Sequence, residues 1–322
     1  MRALLVALLV SFAMPALADQ RIPPNWTWEW TDTDFSRIAV DPMEIRSGGP
    51  PKDGIPAIDG PVMVPVSEGD IPGREPVVSV EIDGDARAYP VRYLMWHEIV
   101  NDRFGERPVT VTYCPLCNAA IAFDGRVAGQ GTTFGVSGKL RHSDMIMYDR
   151  ATESWWQQFT GEAIAGERTG EELTKLPSRL ESWAAFRARE PEGRVMAEPA
   201  GYRRDYGRNP YVGYDTLSKP FLYSGAEPPH GIPMMARVVV VDGRAWPMER
   251  VVEAGTLTED GVTLAWEEGQ ASALDTGRIE KGREVGNLTV TDAGGRPMVH
   301  DVTFAFVFHA FEPEGRWMLG GS

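Results

Sequence analysis

The sequence carries the same β-hairpin signal twice, and this repetition constrains the fold more than any other feature. Residues 77–90 read VVSVEIDGDARAYP and residues 237–247 read RVVVVDGRAWP. In both segments an apolar strand runs into an Asp-Gly turn, and a short return strand ends in an aromatic residue and a proline. Asp-Gly between alternating strands is the strongest local signal for a two-residue hairpin. The chain is therefore predicted to contain two copies of one hairpin-based unit.

The similarity between the two copies extends past the hairpins. Residues 109–113 resemble residues 262–266, and residues 122–127 resemble residues 273–279, so each copy is predicted to hold a hairpin, a helical crossing and a second hairpin. The 34 Gly and 25 Pro favour short elements joined by turns and exclude an all-helical bundle. The predicted fold class is mainly β (a β-rich α+β fold) with two pseudo-repeated halves and a few short helices.

Two further segments have a readable periodicity. Residues 302–311 alternate, with three phenylalanines on one side, and are predicted to form a strand. Residues 180–189, LESWAAFRAR, are predicted to form a short surface helix.

The amino-terminal residues have the composition of an export signal. Arg2 precedes an apolar run over residues 3–13, and Ala16-Leu17-Ala18 offers a small-x-small cleavage site. We expect residues 1–18 to be a signal peptide and the mature chain to be a soluble periplasmic or secreted protein. No later stretch approaches the ~20 apolar residues that cross a bilayer, so no membrane span is expected.

The remaining chain is predicted to divide by composition and motif. Residues 19–65 form a Pro- and Gly-rich arm anchored by its tryptophans Trp26, Trp28 and Trp30. Residues 66–200 form a Cys- and His-bearing half, and residues 201–233 form an ordered connection. Residues 234–322 form a second half without motifs, which packs on the first.

The charge balance argues against one class of partner. The chain has 32 basic and 46 acidic residues, a net charge of −14, and no run of Lys and Arg that would line a groove. Such a surface repels phosphate backbones. Nucleic acid is therefore not expected as a partner, and a metal ion or a small ligand is.

Cys114 and Cys117, in the segment Tyr-Cys-Pro-Leu-Cys, are the only two cysteines of the chain. Because an exported protein meets an oxidising compartment, two thiols must pair with each other, bind a metal or cycle between redox states. The second copy has Glu267-Glu268-Gly269 at the corresponding place. Chemistry is therefore expected in the first half only.

The surroundings of the cysteines favour a metal knuckle over a thioredoxin-type site. A strand precedes Cys114, and the six residues after Cys117 are too short for the helix that a redox site uses. Strand, Cys-Pro-x-Cys and strand instead place both sulfurs on one side of a tight turn. The residue after the second cysteine of such a knuckle often has a positive φ, which Asn118 tolerates better than most residues.

Two histidines are the candidates for the missing ligands. His97 falls on one helical stripe with Tyr93 and Trp96 and is expected to face inward, as a ligand or as a hydrogen-bonded core histidine. His142 begins HSDMIMYD, which is predicted to be a strand with His142 and Asp144 on the same face. The neighbouring methionines are typical of core filling more than of a copper site.

Six motifs in order resemble a known family. They are Tyr-Pro at 89–90, WHEIVND at 96–102, TYCPLC at 112–117, FGVSG at 134–138, HSD with MYD within 142–149, and the segment 156–166. This chain resembles a widespread family of exported bacterial and archaeal proteins catalogued as a domain of unknown function. The resemblance implies that the motifs form one site. The chain departs from the family at Asn118, where glycine is usual.

Three functions fit these observations. The first is an exported protein that binds copper or zinc through Cys114, Cys117, His97 and His142. The second is a thiol–disulfide redox protein in which Cys114 attacks and Cys117 resolves. The third is a non-enzymatic binding module with a structural disulfide. The sequence assigns no reaction and no substrate.

Overall fold

The computed structural model describes residues 22–320. The predicted signal peptide lies outside these residues. No helix within residues 22–320 is long and apolar enough to cross a bilayer.

The structure is mainly β, as predicted, with several small sheets arranged in a ring and five short helices among the described residues. The helices are α1 (Pro24–Glu29), α2 (Val91–His97), α3 (Trp183–Arg189), α4 (Met248–Ala254) and α5 (Ala305–Phe311).

The strands before residue 200 belong to the amino-terminal arm and the first half. They are β1 (Ile45–Ser47), β2 (Ile58–Asp59), β3 (Met63–Pro65), β4 (Pro76–Ile82), β5 (Asp85–Pro90), β6 (Ile99–Phe104), β7 (Arg107–Cys114), β8 (Ala119–Asp124), β9 (Arg126–Val127), β10 (Gln130–Gly131), β11 (Phe134–Arg141), β12 (Asp144–Asp149), β13 (Trp155–Gln157), β14 (Ala163–Ala165), β15 (Lys175–Leu176), β16 (Ser178–Ser182) and β17 (Arg194–Met196).

The strands after residue 233 belong to the second half. They are β18 (Arg237–Val241), β19 (Arg244–Pro247), β20 (Thr256–Glu259), β21 (Val262–Glu267), β22 (Asn287–Asp292), β23 (Asp301–Phe304) and β24 (Arg316–Trp317).

The two halves repeat the same topology. The first contains a sheet in the order β16-β4-β5-β17-β3, and the second a sheet in the order β23-β18-β19-β24. Both sheets are built on the predicted Asp-Gly hairpin, and their third and fourth strands are parallel: β5 with β17, and β19 with β24. A helix follows the hairpin in each half, and a second helix joins the outer strands. The pseudo-repeat predicted from the two hairpins is confirmed.

The last part of the predicted repeat is wrong. Residues 273–279 were expected to match the return strand that follows the cysteines, but β22 occupies that position and pairs with β21. Between these strands the chain leaves the sheet, and Ala273, Leu274 and Ile279 enter the largest hydrophobic cluster instead. These residues are apolar because they are buried between the halves. A buried loop can have the same apolar pattern as a strand, so the pattern alone does not distinguish them.

Two element predictions fail at a boundary. The predicted strand over residues 302–311 ends at Phe304 and continues as α5. The predicted helix over residues 180–189 begins only at Trp183, because residues 178–182 pair with β4 as strand β16. Ser182 caps this helix by accepting a hydrogen bond from the Ala185 N–H at 3.2 Å.

The arm contributes an edge strand to each of three sheets of the first half. Strand β1 pairs with β11, β2 pairs with β6, and β3 pairs with β17. Trp26 and Trp30 are buried against Trp155, whereas Trp28 is 79% exposed. Two of the three tryptophans therefore anchor the arm as predicted. Trp26 and Trp28 lie in α1, and Trp30 is the residue that follows its last turn.

The main hydrophobic core crosses the boundary between the halves. It contains Leu94 and Val111 from the first half and Leu274, Phe304 and Phe306 from the second. Cys114 and Cys117 belong to this shared core, so the second half packs directly behind the candidate site.

Candidate functional site

The cysteine turn has the strand–turn–strand form predicted for a knuckle. Strand β7 ends at Cys114, the turn covers residues 115–118, and β8 starts at Ala119. The Cys117 N–H donates to the Cys114 carbonyl at 3.2 Å, and the Asn118 N–H donates to the Pro115 carbonyl at 3.2 Å. Asn118 has a φ of 51°, so the expected left-handed residue is present.

The second half holds this turn from behind. The carbonyl of Cys117 accepts a hydrogen bond from the Thr303 hydroxyl at 2.8 Å and another from the Phe304 N–H at 3.3 Å. The Tyr214 hydroxyl, from the connection between the halves, donates to the Leu116 carbonyl at 3.0 Å. Because three external donors satisfy its carbonyls, the turn is fixed in one conformation.

Three acidic side chains converge at the knuckle. The sulfurs of Cys114 and Cys117 and a carboxylate oxygen of Asp144 all lie within 4.8 Å of one another, and all three residues are buried. Both cysteines are free thiols in the structure. Among the described residues this is the one group of three or more such ligands that close together.

Asp144 reaches the cysteines because of an unusual turn before β12. His142 and Ser143 both have positive φ values, 49° and 69°, which reverses the chain and starts the strand at Asp144. The Gln157 amide donates to Asp144 Oδ2 at 2.7 Å, and the Phe159 N–H donates to the same oxygen at 2.9 Å. Asp144 Oδ1 is buried and has no hydrogen-bond partner in the described chain. This oxygen is therefore available to a ligand.

Burial shifts the pKa of all three groups upward, which favours their neutral forms. It raises the pKa of the Cys114 thiol and, together with the neighbouring thiol, raises that of Cys117 well above its usual value. Burial also raises the pKa of Asp144 to about 6, although its hydrogen bonds from Gln157 and Phe159 act in the opposite direction. Without a cation, the site avoids accumulating negative charge.

A cavity of about 200 Å³ borders the cluster. Cys114 forms part of its wall, and most of the remaining wall is apolar. Its wall also includes Glu98, Lys139, Leu140, Tyr211, Phe221 and Leu222. Phe221 and Leu222 are about half exposed, so they mark the side of the cavity that faces solvent.

Glu98 is a second acidic group in the cavity wall. It ends α2 with a φ of 58°, and its carboxyl forms no hydrogen bond or ion pair within residues 22–320. Burial, with a smaller contribution from the charge of Asp144, raises the pKa of Glu98 to about 8. Glu98 is therefore a titratable group of the cavity wall that the protein does not pair.

The two predicted histidine ligands lie elsewhere. His97 is buried at the end of α2, with Nδ1 2.7 Å from the Pro56 carbonyl oxygen and Nε2 2.7 Å from the Tyr206 hydroxyl. Both ring nitrogens therefore have hydrogen-bond partners. Of the two roles expected for His97, this is the hydrogen-bonded core histidine and not the metal ligand. Burial lowers its pKa.

His142 lies in the turn before β12, not within a strand as expected. Its Nε2 is 3.4 Å from a Glu44 carboxylate oxygen, and its ring contacts the rings of Tyr223 and Phe311. Neither histidine belongs to the cluster of close ligands; Asp144 takes the third position instead.

Sequence reasoning missed Asp144 and Glu98 as site residues. Both lay inside quoted motifs, and Asp144 stands directly before the apolar run Met-Ile-Met. A carboxylate between residues that are all predicted to be buried is a signal of a functional or ion-paired group. Asp144 carries that signal as clearly as the neighbouring His142 does.

One family matches the chain. It is described as "Protein of unknown function (DUF3179)", and the match covers residues 52–315, which include both halves and part of the arm. No curated protein and no solved structure matches the chain.

Proposed function

The chain belongs to the DUF3179 family, whose function is unknown. We propose, from the geometry of the site, that the protein is exported and binds a divalent transition metal, zinc by preference. The ligands are the sulfurs of Cys114 and Cys117 and the carboxylate of Asp144. The single observation that carries the proposal is their convergence within 4.8 Å in a buried position. Ligands at about 2.0–2.3 Å from one ion lie at most about 4.6 Å apart. Small side-chain rotations are therefore enough to bring them onto one ion.

Charge supports a divalent ion over Cu⁺. When both thiols and Asp144 are ionised, the buried site holds two thiolates and a carboxylate, which a monovalent ion offsets poorly. Zn²⁺ offsets more of this charge and accepts both sulfur and oxygen ligands. Two sulfurs also select against Mg²⁺ and Ca²⁺, which prefer oxygen ligands throughout.

Three protein ligands leave one position of a tetrahedral ion open. Sites of this kind keep the fourth position for water or substrate, whereas structural zinc sites are closed by four protein ligands. The cavity beside Cys114 supplies the space for such an exchangeable ligand. The site is therefore of the type that binds or activates a small molecule.

Metal content measured by mass spectrometry tests the proposal. Protein purified from its own host is expected to carry about one equivalent of zinc, and both Cys114→Ser and Asp144→Asn are expected to lose most of it. His97→Gln is the matched control, because it changes a buried residue of the same region outside the cluster. It is expected to keep the metal.

Equal metal content in the wild type and in Cys114→Ser would end the proposal. Loss of metal in His97→Gln, with retention in Asp144→Asn, would instead favour the set predicted from the sequence, in which His97 and His142 join the two cysteines.

Thiol–disulfide exchange is the second candidate. One observation favours it: Cys114 lines the cavity whereas Cys117 is fully buried, as an attacking and a resolving cysteine would be. The raised thiol pKa values act against it, since the thiolate is the nucleophile. A reduction potential close to those of exported oxidoreductases, together with an absence of metal, would favour this role. A pair that stays oxidised against strong reductant would indicate a structural disulfide.

A further inference from the structure

The cavity beside the cluster has the size of a small-molecule pocket. Its volume of about 200 Å³ is below the ~300–1,000 Å³ of pockets that hold drug-sized ligands. Leu140, Phe221 and Leu222 are among the apolar residues of its wall. A molecule of a few non-hydrogen atoms with an apolar body therefore fits this space.

The charge of the wall excludes most anions. Lys139 is the one basic residue among those lining the cavity in the described chain, and its ammonium group pairs with the Glu29 carboxylate at 2.7 Å. The other polar groups of the wall include Cys114, Glu98 and the Tyr211 hydroxyl. A buried anionic ligand would meet no free cation other than the metal itself, which costs free energy. The preferred ligand is uncharged.

Glu98 is held rigidly as an acceptor in this wall. Its N–H donates to the Leu94 carbonyl at 2.7 Å, and its carbonyl accepts from the Tyr113 N–H at 2.8 Å. These bonds fix a left-handed backbone at a residue other than glycine, next to the strand that ends in Cys114. The Glu98 carboxyl belongs to the cavity wall and forms no side-chain hydrogen bond or ion pair within residues 22–320, and its oxygens are not among the fully buried atoms that lack a partner. These oxygens are therefore accessible and can accept a hydrogen bond from a molecule bound in the cavity.

We propose that the cavity binds a small uncharged molecule with an apolar body and one X–H group, an alcohol or a thiol. The heteroatom X would lie on the Cys114 side of the cavity, where a metal held by the cluster could take it as a further ligand, and Glu98 accepts the hydrogen bond from X–H. This inference rests on the proposed metal site and adds the chemical class of its ligand and the residue that recognises it.

Calorimetric titration of the zinc-loaded protein tests the inference. The probes are 1-propanethiol, 1-propanol and propionate, which are similar in size and differ in the polar group. We expect saturable binding of the thiol or the alcohol, with the tighter of the two identifying the heteroatom, and weaker binding of propionate. Glu98→Met, which removes the acceptor, is expected to weaken binding at least tenfold, or about 1.4 kcal/mol, with unchanged zinc content.

Three variants serve as controls. Glu98→Gln keeps an acceptor oxygen and should retain most of the affinity that Glu98→Met loses. Glu106→Gln changes an exposed glutamate on the neighbouring β6–β7 turn and should bind as the wild type does. Leu140→Trp places a larger side chain in the cavity and should abolish binding of the probes. This variant keeps the inference testable if Glu98→Met does not fold.

The inference is overturned if zinc-loaded protein binds none of the probes, if propionate binds as tightly as the alcohol and the thiol, or if Glu98→Met binds like the wild type. Zinc content measured on the same samples separates the two proposals. A wild type that holds zinc but binds no probe refutes only the ligand class, whereas a wild type without zinc refutes the metal site.

Discussion

At the scale of single residues, Asn118 determines whether the knuckle can form its turn. Its φ of 51° lies in the left-handed region, which costs residues with a Cβ roughly 1–2 kcal/mol and β-branched residues more. Its side-chain amide lies 3.4 Å from the Tyr113 hydroxyl and 3.5 Å from the Val302 carbonyl oxygen, so these hydrogen bonds are long. The backbone conformation, more than the side chain, is what Asn118 supplies.

We therefore predict that Asn118→Gly changes the free energy of unfolding by less than about 1 kcal/mol, whereas Asn118→Val lowers it by about 2 kcal/mol or more. Urea denaturation of both variants and the wild type measures the difference. The prediction is wrong if glycine is the more damaging substitution.

Glu75 is a second residue whose environment has a measurable consequence. It is fully buried, and burial raises its pKa to about 7 even though Arg92 lies 3.2 Å away and acts to lower it. Because the folded protein binds this proton more tightly than the unfolded chain, its contribution to stability is complete below pH 4.5. The contribution is lost as the pH rises toward 7.

We predict that Glu75 lowers the free energy of unfolding of the wild type by about 2–3 kcal/mol between pH 5 and pH 8. In Glu75→Gln this contribution is absent, so the decrease over the same pH range should be smaller by about 2–3 kcal/mol. Denaturation curves at both pH values measure this double difference. Other buried acids contribute equally to both proteins and cancel. The exposed Glu68→Gln is the control; if its pH dependence changed as much as that of Glu75→Gln, the effect would not come from burial.

At the scale of elements, the hydrogen bond at the start of α3 stabilises a helix of only seven residues. The Ser182 hydroxyl accepts the Ala185 N–H, and the helix buries Trp183 and Phe186. We predict that Ser182→Ala lowers the free energy of unfolding by about 1 kcal/mol. Ser178→Ala is the control, because Ser178 lies in the same strand and forms no side-chain hydrogen bond within residues 22–320. Equal losses in guanidinium denaturation would contradict a capping role.

The elements that sequence could predict are those fixed by local chemistry. The Asp-Gly hairpins, the strand before Cys114 and the left-handed Asn118 depend on a few adjacent residues, and all are observed. Residues 305–308 are all buried, so α5 has no polar face there to distinguish a period of 3.6 from a period of 2. The alternation of phenylalanines therefore indicated a strand where a helix forms.

The candidate site was predictable only in part for a related reason. The cysteine pair is local, but Asp144 reaches it through two consecutive left-handed residues, His142 and Ser143. Histidine and serine do not predict a left-handed conformation, whereas glycine would indicate one. A continuous strand from His142 would place His142 and Asp144 on the same face, and that pattern does not indicate that only Asp144 reaches the cysteines.

At the scale of the whole molecule, the two copies share one core and are expected to unfold together. Phe304 and Phe306 of the second copy pack in the cluster that contains Leu94 and Val111 of the first. A separated second half would expose this apolar surface to water. The repeat is therefore one of topology and not of independent folding units.

We predict that residues 234–320 expressed alone show no cooperative unfolding and bind the dye ANS, whereas the full chain unfolds in one transition without binding it. Calorimetry and dye fluorescence on both proteins test this. A sharp transition in the isolated piece would show that the halves are separate domains.

The hydrogen bonds from Thr303 and Phe304 to Cys117 also set an order of events during biosynthesis. The ribosome makes the cysteines long before it makes the residues that brace them, since chains emerge from the amino end. The knuckle acquires its final bracing only after residues 303 and 304 have been synthesised, the first of them 186 residues after Cys117. If the proposed metal site is correct, an ion that binds before this bracing forms would meet a knuckle without its hydrogen bonds from Thr303 and Phe304.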